Sequence, residues 1–559
     1  MTDQWTGGGD THEVLNQSPP FVDVDLFKSD KVLREAVLRE GGASAATGLE
    51  AFGARCGSAE ALDWGRLANE HVPRLRTHDA KGHRLDIVEY HPAYHELMRT
   101  TVSQGQSAMV WEHLLRPGAS PRAGVNVARA AGTYLATQME AGHLCPITMT
   151  HAAVPTLLQQ PDIASEWLPR VVSRNYDASH LPMQEKAGVT IGMGMTEKQG
   201  GTDVRANSTR AEPIAAPGPG RAYRIVGHKW FMSAPMCDAF LVLAQAPAGL
   251  SCFLLPRLLP DGSANGLRFQ RLKDKLGNRS NASSEVEFHG AWARLVGEEG
   301  RGVPAIIEMV TETRLDCAVS SAGLMRFALA TAVHHARHRT VMQRKLVDHV
   351  LMAEVLTDMA LDVEAATALA FRLARAFDTA AQPDGAAWRR LMTPVVKYWI
   401  CKRAPALAYE AMECMGGNGY VEEGTAARLY REAPLNAIWE GSGNVMALDV
   451  LRVLQREPEL AEIVLDELGH SIAGDGRLEA VFEGLQSLLH EPRELARKAR
   501  ALVEQLALVA AGTLLRAHAP GEIAEAFIAT RLAGPHRATY GQGLGAMNTR
   551  SVLERVLES

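Results

Sequence analysis

Residues 188–204 read GVTIGMGMTEKQGGTDV, and the parsing of this stretch decides how the chain divides. Upstream of it, from about Asp30 to Ala187, apolar residues recur at helical spacing; in DKVLREAVLRE the positions Val32, Leu33, Val37 and Leu38 follow that period. At Gly188 the texture changes. Val189, Thr190 and Ile191 lead into a loop freed by Gly192, Gly194, Gly200 and Gly201. From there to about Gly302 short β-rich pieces alternate with turn residues: 222–226 after the Pro-Gly-Pro-Gly turn of 217–220, then 240–244, 251–255 and 284–288. The last alternates polar with apolar, as a half-buried strand does. Helical periodicity returns at Val303 and lasts to Gln455, and beyond Pro458 further helix-like sequence is broken at Gly474, Pro492, Pro520 and Pro535. The expectation is a mainly α protein with a central antiparallel β domain: helical 1–187 behind a flexible lead-in, β 188–302, a helical bundle 303–455 and a helical C-terminal region 456–559.

Composition agrees with an enzyme-sized globular chain. Its 559 residues suit three or four domains at ~150 residues each. With 46% hydrophobic and 22% charged residues it is neither disordered nor collagen-like. A net charge of -6 gives no global attraction to nucleic acid or anionic membrane. The seven cysteines are scattered without a Cys-x-x-Cys pair, which reads as reduced thiols and a cytoplasmic location. No unbroken apolar run reaches the ~18 residues of a membrane span, and the polar start MTDQWTGGGDTHEVLNQ carries no export signal.

Several familiar motifs are absent. Gly192-Met193-Gly194 lacks the third glycine of a dinucleotide fingerprint, no Walker loop occurs, and Ser442 has the wrong glycine spacing for a nucleophile elbow. The pairs His91/His95 and His334/His338 sit four apart, but no third ligand is indicated, so no metal is expected. Three segments stand out. In 192–203 glycines bare the backbone and Thr196 and Thr202 add hydroxyls, which suits a polar planar or phosphorylated ligand or simply a tight connection between strands. HisLysTrpPheMetSer (228–233) puts aromatic groups beside a hydroxyl, to cover a ring or to fill one face of a strand. In 431–444 Glu440 stands between Trp439 and a Gly-Ser-Gly turn, where a partly desolvated carboxylate would gain proton affinity and serve as a general base; helix capping is the other use for such a residue.

Taken in order, these segments resemble the acyl-CoA dehydrogenase family over roughly 30–455. The runs CPITMT (145–150), MTEKQGGTDV (195–204), GHKWF (227–231), RLKDKLGNRSNAS (271–283) and IWEGSGN (438–444) are similar to its AidB-like branch, bacterial flavoproteins of the adaptive response to DNA alkylation. The resemblance implies FAD. It implies a flavin pocket walled by Met193, Met195, Thr196, Gly201 and Thr202, by Phe231, Met232 and Ser233, and by Trp439, Ser442 and Asn444. Thr196 matches the threonine bonded to the flavin ring, Thr202 the hydroxyl residue near the pyrophosphate, Phe231 the ring shield and Ser233 the hydroxyl at N5. In the family reaction a base removes the α-proton of an acyl thioester while a hydride goes to flavin N5. Glu440 matches that base and the Gly441 N–H the donor to the thioester carbonyl; the other position at which relatives place the base is Thr313 here.

The chain departs from the family where Met342-Gln343 replace a Phe-Gly pair after Arg339, and where Glu413 replaces a glutamine before Gly416, both segments that in relatives approach the FAD of a neighbouring subunit. Arg452, if folded back toward Glu440, would mute the base.

The AidB-like resemblance further implies a homotetramer that binds double-stranded DNA through its C-terminal region. From Arg456 onward there are 11 basic and 15 acidic residues, so only Arg493, Arg497, Lys498 and Arg500 resemble a phosphate-binding stripe; an ordinary solvated helix face has the same look. Two readings follow. One is an alkylation-protective flavoprotein with weak acyl-CoA dehydrogenase activity, the other a plain acyl-CoA-oxidising enzyme whose C-terminal region serves assembly only.

Overall fold

The helix Gly302–His338 is the axis of the structure, a computed structural model that describes residues 11–489, 491–534, 538–545 and 547–557. Most of its 37 residues are buried, on every side of the helix, so it is stable only when surrounded. It is long and apolar enough to cross a bilayer, yet its most apolar window is 89% buried against other helices, which makes it a core helix. Val350–Asp378, Thr393–Cys414, Val125–Met139 and Leu144–Leu157 pack around it. Asp30 shows how the first helix is fixed to this axis. Its side chain caps Lys31–Arg39 through the Leu33 N–H (2.9 Å) and also accepts from Arg326 (2.7 Å) and the Tyr134 hydroxyl (3.2 Å).

The β region is a seven-stranded sheet, predominantly antiparallel as expected. Ala222–Ser233 and Ser283–Val296 form its long central pair, and Ala239–Ala246 with Gly249–Pro256 are buried along nearly their whole length. Two pairings are parallel, Ile191–Gly194 and Arg210 each running beside Ala239–Ala246. Because Ala239–Ala246 also pairs with Gly249–Pro256, which pairs with Ser283–Val296, the sheet curls back on itself. One element escaped the sequence reading: Arg74–His78 and Arg84–Glu89 form a hairpin inside the otherwise helical N-terminal region, and Arg84 donates to the Phe269 carbonyl of the β region.

The C-terminal helices share the main hydrophobic core. Ala499–His518 lies against Val350–Asp378, Thr393–Cys414 and Gly443–Arg456. Arg531 and Arg403 reach the fully buried Asp362, with Tyr540 on the same carboxylate. Arg555, on the last helix Thr549–Val556, bridges Glu35 and Glu364. The lead-in is fastened where it is described: Asn16 exchanges two side-chain hydrogen bonds with the Thr340 backbone, both 2.7 Å, and Pro19 accepts from His334. The helix breaker Pro535 lies outside the described residues.

Candidate active site

The loop between Leu435–Ala437 and Gly443–Arg456 carries Glu440 on a left-handed backbone, φ +57°. A residue with a Cβ resists that conformation, so the surroundings must impose it. Three groups do. Lys397, buried on Thr393–Cys414, donates to the carbonyls of Asn436 (2.9 Å), Trp439 (3.0 Å) and Gly441 (2.8 Å). Arg314 donates to the Glu440 carbonyl at 2.9 Å and is itself held by Asp449 at 2.8 Å. The Thr313 hydroxyl meets the Glu440 carboxylate at 2.6 Å. Gly441 follows at φ +104°, and a Cβ there would come within 2.5 Å of the Met446 side chain. The two base positions that the family resemblance offered, 313 and 440, are therefore neighbours in space, with the carboxylate on 440.

Burial pushes the Glu440 carboxyl above the ordinary glutamate value, opposed by the Thr313 hydroxyl and then by the charges of Lys397 and Arg314. The Trp439 indole does not touch the carboxylate through its N–H; it donates to Asn436 Oδ1 (2.8 Å) and helps shape the loop. Arg452 does not fold back. It turns to Asp449 at 3.4 Å and is 56% exposed, because Asp449 is the carboxylate one helical turn away.

The β-region loop is built on a buried ion pair. Lys229 meets Glu197 at 2.8 Å with both side chains fully buried, and Glu197 also accepts from the Ser208 N–H (2.7 Å). The Trp230 N–H donates to the Thr196 carbonyl at 2.8 Å, which seats the 195–203 loop on Ala222–Ser233. Met193 and Met195 lie partly buried against the β core. Thr196 is half-buried, whereas Gly201 and Thr202 are exposed. A Cβ on Gly201 would come within 2.3 Å of the Thr196 hydroxyl, so glycine keeps that hydroxyl clear. Phe231 is 45% exposed. The Met232 side chain is fully buried in the β core, because the strand bulges between Lys229 and Met232 and turns both to the same face; only the Met232 main chain is left to line a pocket. Ser442 begins Gly443–Arg456 without capping it by its side chain, and Asn444 is exposed, 3.5 Å from Arg500.

Cys145 joins the two halves. Its thiol has Ser233 and Asn281 as hydrogen-bonding neighbours, and it feels the charges of Lys275 and Glu440. Burial pushes this thiol up to about 12 and pulls the Lys275 amine down to about 8. Lys275 reaches the Ser283 hydroxyl (3.2 Å), and Ser283 the Ser233 hydroxyl (3.0 Å). Lys397, Asp449 and Lys275 were invisible as site residues in the sequence, since no local motif marks a lysine on a helix that serves a loop forty residues on.

The basic stripe is broken up. Pro492–Arg497 ends before Ala499–His518 begins, so Arg497 and Arg500 stand on different helices. Arg497 and Lys498 both face Glu494, at 3.7 and 3.8 Å, while Arg500 donates to the Tyr398 hydroxyl at 3.1 Å. The Arg493 side chain and Arg537 lie outside the described residues. At the other departure from the family, Met342 and Gln343 form a two-residue turn with both φ positive, and Met342 is 86% exposed at its tip. Arg339 beside it donates to the Asn16 carbonyl. Of the paired histidines, His91 caps the helix Pro92–Ser103, His95 meets the Tyr176 hydroxyl at 2.8 Å and His338 bonds the His334 carbonyl.

Residues 16–178 match the adaptive response protein AidB N-terminal domain, 192–291 the acyl-CoA dehydrogenase middle domain and 300–455 the acyl-CoA dehydrogenase C-terminal domain. The chain is 47% identical to the putative acyl-CoA dehydrogenase AidB of Escherichia coli, over 92% of this chain and 94% of that protein. It is 31% identical to acyl-CoA dehydrogenase family member 11 of Caenorhabditis elegans, over 86% of this chain and 78% of that one. The crystal structure of ACDH-11 from the same organism, in complex with C11-CoA, superimposes with a TM-score of 0.84 at 29% identity, covering 96% of this chain and 95% of that one. The chain thus belongs to the acyl-CoA dehydrogenase family of FAD-dependent oxidoreductases, on its AidB branch.

Proposed function

We propose that the chain oxidises an acyl-CoA thioester with bound FAD, Glu440 taking the α-proton. The observation that carries this reading is the Glu440 carboxylate itself, part-buried, raised in proton affinity and held on a strained turn by Lys397, Arg314 and Thr313.

The residues present fit the cofactor. Phe231 and Ile438 leave large apolar side chains 45% and 64% exposed, which a planar ring would cover. Ser442 uses its hydroxyl for no cap, and the Gly201 backbone leaves room above Thr196. Thr196, Thr202, Ser233, Ser442 and Asn444 would hold FAD by hydrogen bonds, with Phe231 against the ring. FAD, when bound, supplies the acceptor for the hydride. The chain's own part is positioning. The Gly441 N–H, which donates to no backbone carbonyl among the described residues, is free to bond a thioester carbonyl. Acyl-CoA as substrate class is supported by the C11-CoA complex of the C. elegans relative.

Anaerobic titration of the FAD-loaded protein with acyl-CoAs of graded length and polarity tests this reading. Bleaching of the flavin absorbance by one or more of them is expected. An absorbance that no acyl-CoA bleaches would overturn the substrate class.

The finer reading is that a cytoplasmic homotetramer also protects DNA in the adaptive response. Its support is the match of residues 16–178 to the adaptive response protein AidB N-terminal domain. Among the described C-terminal cations, Arg477, Arg516, Arg531 and Arg555 already serve internal carboxylates or carbonyls. Arg497 and Lys498, 82% and 57% exposed, are the better candidates for phosphate. Fluorescence anisotropy with duplex DNA should show binding that weakens steeply with salt. No binding at low salt would remove the DNA role and leave the plain enzyme.

A further inference from the structure

We infer that Thr313 is a positioning residue that commits Glu440 Oε2, leaving Oε1 as the atom that receives the substrate proton. This rests on Glu440 being the base. The Thr313 hydroxyl has one proton and two acceptors within reach, Glu440 Oε2 at 2.6 Å and the Val310 carbonyl, one helical turn back, at 2.9 Å. With the carboxylate ionised, the proton goes to Oε2, where a charge-assisted hydrogen bond is the stronger of the two. Once Glu440 is neutral that preference vanishes, and the hydroxyl is equally served by Val310. Thr313 therefore favours the ionised base and fixes one of its oxygens, so the other must face the substrate.

Position 313 is suited to this. Thr313 is 2% exposed on Gly302–His338, so water does not compete for its hydroxyl. The other groups facing Glu440 are Arg314 and Cys317 of the same helix, Lys397 of Thr393–Cys414 and Cys145 of Leu144–Leu157. Arg314 bonds the Glu440 main chain and Lys397 the neighbouring carbonyls, so Thr313 alone among them hydrogen-bonds the carboxylate.

The test uses the FAD-loaded enzyme and the near-isosteric Thr313→Val, with Thr313→Ser as the variant that keeps the hydroxyl. The Glu440 carboxyl is titrated by difference infrared spectroscopy, its band assigned by disappearance in Glu440→Gln, and the acid limb of kcat/KM is recorded in parallel. Thr313→Val should raise both midpoints by about one pH unit, a tenfold gain in proton affinity, and Thr313→Ser should restore them. Unchanged midpoints in Thr313→Val, or a serine variant that behaves like valine, would overturn the inference while leaving Glu440 as base. Full turnover by Glu440→Gln would instead overturn the base assignment, and this inference with it.

Discussion

Glu440→Gln is expected to lower turnover of an acyl-CoA by about 10³-fold, within the range that loss of a positioned general base produces, while FAD still binds. The amide keeps the shape of the side chain and its contact with Thr313 but cannot take a proton. Stability should move the other way. Because burial raises the Glu440 carboxyl above its unfolded value, the folded protein carries a cost for ionising it. That cost is present above the raised midpoint and absent below the ordinary glutamate value of ~4.3. The glutamine variant should therefore be more stable than the wild type at pH 8 and indistinguishable from it at about pH 4, as read from urea unfolding at the two values. Glu440→Gly separates strain from chemistry. At φ +57° glycine relieves a conformational cost of about 1–2 kcal/mol for an L-residue, so this variant should be inactive yet no less stable than wild type. A variant that lost activity and stability together would make Glu440 a structural residue, and the base would have to be sought elsewhere.

The parts of this molecule legible in the sequence are those written in short-range patterns. The strands at 222–226, 240–244, 251–255 and 284–288 follow from β-branched and apolar runs between turns, and each lies inside an observed strand. The hairpin Arg74–His78 with Arg84–Glu89 was missed because its residues are mostly polar and only Val88 among them is buried, so no apolar face marks it. Glu440 was legible because it sits beside an indole and a glycine turn, but the cause assigned to it was incomplete. Arg314 and Lys397 supply the charge that Arg452 was expected to supply, and both come from helices distant in sequence. Met232 illustrates a second limit. A motif names consecutive residues, whereas the bulge between Lys229 and Met232 resets which of them point inward, leaving Phe231 exposed and the Met232 side chain buried. The single helix face expected of Arg493, Arg497 and Arg500 does not form, for a similar reason. Helical spacing holds only while one helix continues, and this one stops at Arg497.

Lys397→Met is expected to be the most destabilising of these changes near the site. Three main-chain carbonyls, those of Asn436, Trp439 and Gly441, now converge on one buried ammonium. Methionine matches the length of the lysine but donates nothing, and a buried carbonyl left without a donor costs about 1–3 kcal/mol. Since the loop will relax toward solvent, a destabilisation of about 3 kcal/mol overall is expected, read as a lower urea midpoint with an unchanged slope. The folded fraction should also be impaired, because a loop displaced by about 1 Å costs on the order of 10²-fold in rate. Removing the ammonium withdraws one of the charges that oppose the upward push on Glu440, so the acid limb of kcat/KM should move to higher pH. That shift is what distinguishes a lysine acting through the base from one that only holds the fold. A methionine variant of lower stability whose acid limb stayed in place would confine Lys397 to the loop's architecture. One that kept both stability and rate would mean that the left-handed turn at Glu440 is held by Arg314 and the Gly441 backbone without it.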